Sequence, residues 1–215
     1  MILRRKRPTD PAGDEHASEE AEVAGTPRAE GPWDVSEIQI PSDDGSYVDL
    51  GGMIVKGRVG FDVQIPADPK SGKPAAVVLV NEEAALELRA FAAKRSGGLW
   101  EDVRSDIAGE ATRLNGECDV LDGRHGPELR LRVPTKTPEG ADAVQPSRIV
   151  GVEGPRWFLR GTFYGKAAVE PDDEGLLESA FRDVVVRRGE GPMAPREAIP
   201  IEVPDNAVAE SRENG

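Results

Sequence analysis

Residues 156–169 read RWFLRGTFYGKAAV, residues 171–189 read PDDEGLLESAFRDVVVRRG, and residues 192–204 read PMAPREAIPIEVP. The first stretch alternates. Trp157, Leu159, Gly161 and Phe163 fall on one side, and Phe158, Arg160, Thr162 and Tyr164 on the other, which is the period of a β-strand. In the second, Asp172 or Asp173 is placed to cap a helix carrying Leu176, Leu177, Ala180 and Phe181 on one face, and Val184–Val186 follow as a short strand. Beyond Gly189, Pro192, Pro195, Pro200 and Pro204 favour an extended strap, because proline fixes φ and removes a backbone donor. The expectation is a strand, a covering helix, a short strand and a strap.

Working back toward the N-terminus, strands are expected over 35–40, over 46–56 with a bend at Gly51-Gly52, and over 59–65, where Val59, Phe61, Val63 and Ile65 alternate with polar residues and glycine. Residues 75–80 (AAVVLV) are continuously apolar, as in a strand buried on both faces. Asn81 then reads as the N-cap of a helix ending near Lys94, Arg95 and Gly97. A second helix over 99–114 carries Trp100, Val103, Ile107, Ala111 and Leu114 on one stripe. Strands 117–122 and 128–133 flank the turn Asp122-Gly123-Arg124-His125-Gly126, and a proline-bearing loop over 134–147 leads to a strand at 148–152. Strands mostly follow strands, so the fold class is α+β: mostly antiparallel sheet of about eight strands, packed by three helices and closed by the strap.

The chain has 215 residues, a charged share of 31 % and a net charge of −13. One domain over 32–204 is expected, between a disordered charged arm at 1–31 and a disordered tail at 205–215, because neither end carries enough large apolar side chains to offset its conformational entropy. The acidic balance disfavours nucleic acid as a partner, since phosphate recognition relies on a basic surface. A single cysteine, Cys118, excludes an intramolecular disulfide and a cysteine zinc cluster. Nothing resembles a secretory leader or an apolar membrane span, so the cytoplasm is the expected compartment.

Few chemistries remain. The two histidines, His16 and His125, fall in the charged arm and in a hairpin turn, without partners at ligand spacing. No nucleophile elbow and no glycine-rich phosphate loop occurs, and no cofactor is implied. Two constellations can be drawn. Asp102, Asp106 and Glu110 recur every fourth residue on the helix over 99–114, a spacing that could present carboxylate oxygens to Mg²⁺ in a phosphohydrolase, although charge there is also what a solvated helix face carries. Arg130 and Arg132 share one side of a strand, and Arg156, Phe158 and Arg160 share one side of another. If those sides align, guanidinium groups surround an aromatic ring, a surface for a nucleotide or a single strand.

The segments RWFLRG at 156–161, LExAFRDVVVRRG at 177–189 and PMAPRExIPI at 192–201, with GPWD at 31–34 and VDLGG at 48–52, resemble an actinobacterial family known only as a domain of unknown function. The resemblance covers residues 31–204. Genes of the family often neighbour one for deoxyuridine triphosphatase, which implies a loose context of nucleotide metabolism or nucleic-acid maintenance. It supplies no catalytic residues. The reading that fits is a non-catalytic interaction or accessory module whose partner is another protein, with nucleotide binding and Mg²⁺-dependent hydrolysis as alternatives.

Overall fold

The computed structural model describes residues 28–203 apart from 29, 42, 43, 69, 70 and 75. Most of the arm and all of the tail expected at the two ends therefore lie outside the described residues. The elements in chain order are β1 (Trp33–Asp34), β2 (Tyr47–Asp49), β3 (Met53–Lys56), β4 (Asp62–Gln64), β5 (Val77–Val80), β6 (Ala84–Ala92), α1 (Leu99–Arg113), β7 (Glu117–Gly123), β8 (Gly126–Lys136), β9 (Asp142–Gly154), β10 (Trp157–Gly165), α2 (Lys166–Val169), α3 (Leu176–Arg182) and β11 (Val185–Val186). Seven strands form an antiparallel sheet in the order β4-β5-β6-β10-β9-β8-β7. The other four form a small mixed sheet, β1-β11-β3-β2, in which only β1 and β11 run parallel.

The two sheets face each other across the main core. From the large sheet come Val77, Leu79, Leu86, Leu88, Val150, Val152, Trp157, Leu159 and Phe163. From the small sheet and α3 come Met53, Val55, Val186, Leu177, Ala180 and Phe181. On the outer face of the large sheet, α1 lays Leu99, Trp100 and Ala111 over Leu129, Leu131, Ile149 and Phe158. Adjacent residues of β10 thus belong to different cores.

The strap stitches the sheets together. Beyond the end of β5, the strap takes the vacant edge of β6: Ala92 donates to the Glu197 carbonyl (2.8 Å), and Arg196 and Ile199 donate to Ala92 and Ala90 (2.9 Å each). It then crosses to the small sheet, where Gly52 donates to Pro200 (3.1 Å) and Glu202 to Leu50 (2.9 Å). Ile199 and Ile201 are buried on the way.

The largest departure from the sequence reading is residues 82–95, expected as a helix and observed as β6. Asn81 does use its side-chain oxygen to accept from the amides of Glu83 (3.0 Å) and Ala84 (2.8 Å), but the product is the turn between β5 and β6. Helix propensity favours this Ala/Leu/Glu segment by at most about 0.7 kcal/mol per residue. Full burial of a leucine is worth roughly 1.5–3 kcal/mol, and β6 buries both Leu86 and Leu88 completely. Tertiary burial wins. The strand expected at 35–40 also gives way: Asp34 closes a turn by accepting from the Ser36 amide (3.0 Å), and the strand is Trp33–Asp34. The alternation at 59–65 yields only the short β4, because Gly60 (φ 110) turns the chain and leaves Val59 fully exposed. Residues 77–80 bury one face, with Val78 and Val80 half-buried on the other.

Two glycines allow the layers to meet. A Cβ on Gly151 would stand 2.3 Å from the Trp100 ring, and one on Gly161 2.7 Å from the Phe181 ring. Gly151→Ala is therefore expected to destabilise the fold by about 1–3 kcal/mol in urea denaturation, as overpacking does. Gly109 is exposed inside α1 with open space around it. Gly109→Ala is expected to stabilise the fold by about 0.5–1 kcal/mol. Equal effects at the two positions would contradict this packing of α1.

Candidate functional site

The residues singled out from sequence do not converge on one surface. In an antiparallel sheet, directly paired residues share a face. Arg130 pairs with Arg148, and Arg148 with Phe163, so Arg130 and Arg132 point to the side of the main core. Phe158 and Arg160 point to the outer side. The single guanidinium-and-ring platform is therefore replaced by two separate environments. Phe158 is 1 % exposed, stacked between Phe91 (6.0 Å) and Trp100 (5.6 Å), with no ring face left for a base. Arg156 is the second residue of the Pro155-Arg156 turn. It takes φ 63, and its carbonyl accepts from Ala93 (2.9 Å).

The three carboxylates of α1 are also divided. Asp106 accepts from Arg196 of the strap (2.6 Å), Asp102 lies 3.7 Å from the same guanidinium, and Glu110 pairs with Arg113. The charge of Asp102 and Asp106 holds the strap against α1, and that of Glu110 is met within the helix, rather than collected at one metal position. Among the described residues no three His, Cys, Asp or Glu side chains are grouped to hold a metal ion.

On the inner side, Arg130 belongs to a cleft of about 580 Å³ bounded by the β7–β8 turn, β8, β9 and residues 171–173. Arg130 donates to Glu128 (2.8 Å). The buried Arg148 contacts Glu128 (3.0 Å), pairs with the buried Glu178 and lies 4.0 Å above the Phe163 ring. Arg124 bridges Glu30 and Glu174. Along the cleft, Arg124, Arg130 and Arg148 face Asp122, Glu128, Asp172 and Asp173, so the arginines are already neutralised. An anion entering would have to displace carboxylates. This network ties α3 to the sheet and is an unfavourable anion site. Arg132, further along the same face and exposed, pairs with Glu117 (2.8 Å).

His125, in the β7–β8 turn, is buried 5.2 Å from Phe181, and its Nε2 has no hydrogen-bond partner among the described residues. Burial, with Arg124, Arg182 and Arg148 nearby and only Asp173 opposing, lowers its pKa to about 4.

The outer side is different. The cluster under α1 takes in β7–β9, Phe158 and, near the end of β6, Phe91; apart from α2 at the ends of β6 and β10, among the described residues no helix is seen to pack on the remaining half built by β4, β5, β6 and the end of β10. The register lays out its rows. Tyr164 lies beside Ala85, Val80 and Asp62; Thr162 beside Glu87, Val78 and Gln64; and Arg160 beside Arg89. Arg160 is 3.5 Å from Glu87 and 5.8 Å from the Phe91 centroid, and its buried Nε has no acceptor among the described residues. Burial pushes the Arg160 guanidinium below its ordinary pKa, and burial, with Glu87 nearby, pushes the Tyr164 phenol above its own. Sequence reasoning found Arg160 but missed Val78, Val80, Glu87, Arg89, Phe91 and Tyr164. The signal was the alternation of Leu86, Leu88, Ala90 and Ala92 with Glu87, Arg89 and Phe91, masked by a helix-favouring composition.

The family described as protein of unknown function (DUF3710) matches residues 31–210, and the chain belongs to it. No curated protein matches the chain. Among solved structures, the solution structure of cyanobacterial PsbP (CyanoP) from Synechocystis sp. PCC 6803 is similar over 70 % of this chain and 98 % of that one. Its identity of 9 % and TM-score of 0.36 are too low to bear on function. No helix among the described residues is long and apolar enough to cross a membrane.

Two predictions test the inner network. Arg148→Met strands Glu178 in the core, while Glu128 keeps Arg130, and is expected to cost about 3–5 kcal/mol by denaturant unfolding, much of it regained by adding Glu178→Met. Unfolded His125 binds a proton near pH 6.5 but folded His125 only near pH 4, so its contribution is full above pH 6.5 and lost as pH falls toward 4. The loss reaches roughly 3 kcal/mol. Unfolding measured between pH 7 and 4.5 should show this decline, and His125→Gln should flatten it.

Proposed function

We propose that this member of the DUF3710 family is a non-catalytic protein-interaction module, and that the uncovered outer half of its large sheet binds the partner. The observation that carries the reading is Arg160. It is a partly desolvated arginine, three-quarters buried, whose Nε lacks an acceptor among the described residues, and it stands where no helix covers the sheet. That Nε is itself closed off, but the side chain keeps 24 % of its surface exposed, and a partner's carbonyl or carboxylate can pair with the guanidinium there. Around it lie Phe91, Tyr164, Val78 and Val80 in half-buried positions. Arginine and aromatic anchors inside a polar rim are the composition of binding hot spots. The partner of matching chemistry is a folded protein presenting an oxygen acceptor to Arg160 and apolar side chains to this ring of residues.

Nucleotide binding has less support, because Phe158 lies beneath Trp100 and Arg130 is committed to Glu128. Hydrolysis by Asp102, Asp106 and Glu110 would first require Arg196 and Arg113 to release them.

Affinity purification from the native cell with the full chain tests the reading. A stoichiometric partner is expected with the wild type, weakened at least about tenfold, or 1.4 kcal/mol, by Arg160→Glu and by Tyr164→Ala. Lys136→Glu, on the distant β8–β9 hairpin, should leave it unchanged. Retention by Arg160→Glu, or turnover of a nucleotide by the purified protein, would contradict the proposal.

A further inference from the structure

The two edges of the large sheet are treated differently. β4 is three residues long, with Pro66 two positions beyond it, so little of that edge is available. β7 runs seven residues, Glu117–Gly123, in continuous register with β8 from Glu117↔Arg132 to Gly123↔Gly126. Its sequence, ECDVLDG, contains no proline or lysine, and its pairing shows no bulge. Proline, lysine and bulges are among the devices that keep an open edge from pairing, so only the carboxylates of Glu117, Asp119 and Asp122 guard this one. Along its free side the strand has no partner among the described residues. It also exposes apolar side chains on both faces, Val120 at 55 % and Leu121 at 48 %.

The charges on β7 select an occupant. In an antiparallel pair of two copies centred on Val120, Val120 stands opposite its own equivalent. Asp119 then faces Leu121, Cys118 faces Asp122, and Glu117 faces Gly123. All seven residues pair and no two carboxylates are directly opposed. Centring on Asp119 opposes two aspartates. Centring between Asp119 and Val120 opposes Glu117 to Asp122, and centring between Val120 and Leu121 opposes Asp119 to Asp122. Like charges directly opposite destabilise a strand pair. Centring on Leu121 avoids the clash but brings fewer residues of the strand into register. We infer that the chain forms a two-fold dimer by antiparallel pairing of β7 with β7 of a second copy, centred on Val120, making one continuous sheet across both chains.

The two-fold axis of such a pair stands perpendicular to the sheet, so the outer faces of both copies lie on the same side. β7 is at the opposite edge from the β4–β6 region, so the dimer and the Arg160 surface are independent, and failure of one leaves the other intact. Glu117 and Asp119 are countered within their own chain by Arg132. The remaining repulsion between two acidic chains should be screened by salt, so the dimer should strengthen as salt is raised.

The full chain is to be studied by sedimentation equilibrium at several salt concentrations. A dimer is expected for the wild type and a monomer for Val120→Lys, whose exposed site leaves the circular dichroism and melting unchanged. Register is read with Cys118→Ser/Val120→Cys and Cys118→Ser/Asp119→Cys, each exposed to oxidised glutathione as electron acceptor. Two opposed strand residues have Cα atoms about 4.5–5.5 Å apart, within disulfide reach. The Val120→Cys chain should become a covalent dimer, and the Asp119→Cys chain, whose thiols face Leu121, should not. A wild type that stays monomeric at every concentration, a dimer that survives Val120→Lys, or faster cross-linking from position 119 would each overturn the inference.

Discussion

Everything in this fold depends on β10 being covered on both faces. Trp157, Leu159 and Phe163 are wholly buried toward the small sheet and α3, while Phe158, one residue out of phase, is wholly buried beneath α1. One strand is therefore the shared wall of two cores. The wall is pinned at its start: the Trp157 indole donates to Asp34 (2.7 Å), and Arg28 lies over the same ring. Glu153, at the end of the neighbouring strand, accepts from the Gly98 and Trp100 amides and holds the first turn of α1 in place. The carboxylate also complements the positive end of the helix.

Because α1 is anchored at that end, it covers only the part of the sheet near Phe158, Leu129 and Leu131. Further along β10, the same outward alternation that buried Phe158 brings up Arg160, Thr162 and Tyr164 without a helix above them. The uncovered half-sheet proposed to bind the partner is thus a consequence of how far α1 reaches. Placing an arginine there is costly in an acidic protein only if it stays unpaired, and Glu87 offsets part of that cost while leaving one donor unused. The inner arginines show the opposite arrangement. Arg124, Arg130 and Arg148 are closed in by carboxylates, and what they provide is cohesion between α3 and the sheet.

What could be read from the sequence was whatever short-range pattern decides. The alternation in 157–164, the stripe of α1 and the turn at Gly123–Gly126 depend on residues within a few positions of one another, and each appears close to where it was expected. The segment 82–95 was misread because its composition favours a helix locally while its burial is decided by its pairing with Val77–Val80 and with Trp157–Gly165, partners from five (Val80 with Ala85) to eighty-one (Gly165 with Ala84) positions away. The candidate site suffered from the same blindness. Whether Arg130 and Phe158 share a face depends on the register between β8, β9 and β10, which no single strand encodes. Asp102 and Asp106 looked like free ligands because Arg196, ninety residues distant, is brought to them only by the strap.

The most direct measurement is hydroxyl-radical footprinting of the outer face, on the purified chain and on the complex captured from its native cell. If the domain binds its partner through the half-sheet around Arg160, Tyr164 and Phe91 will be oxidised in the isolated protein and protected in the complex, while Val59 stays reactive in both. Protection that falls elsewhere and leaves Tyr164 and Phe91 as reactive as before would contradict the account.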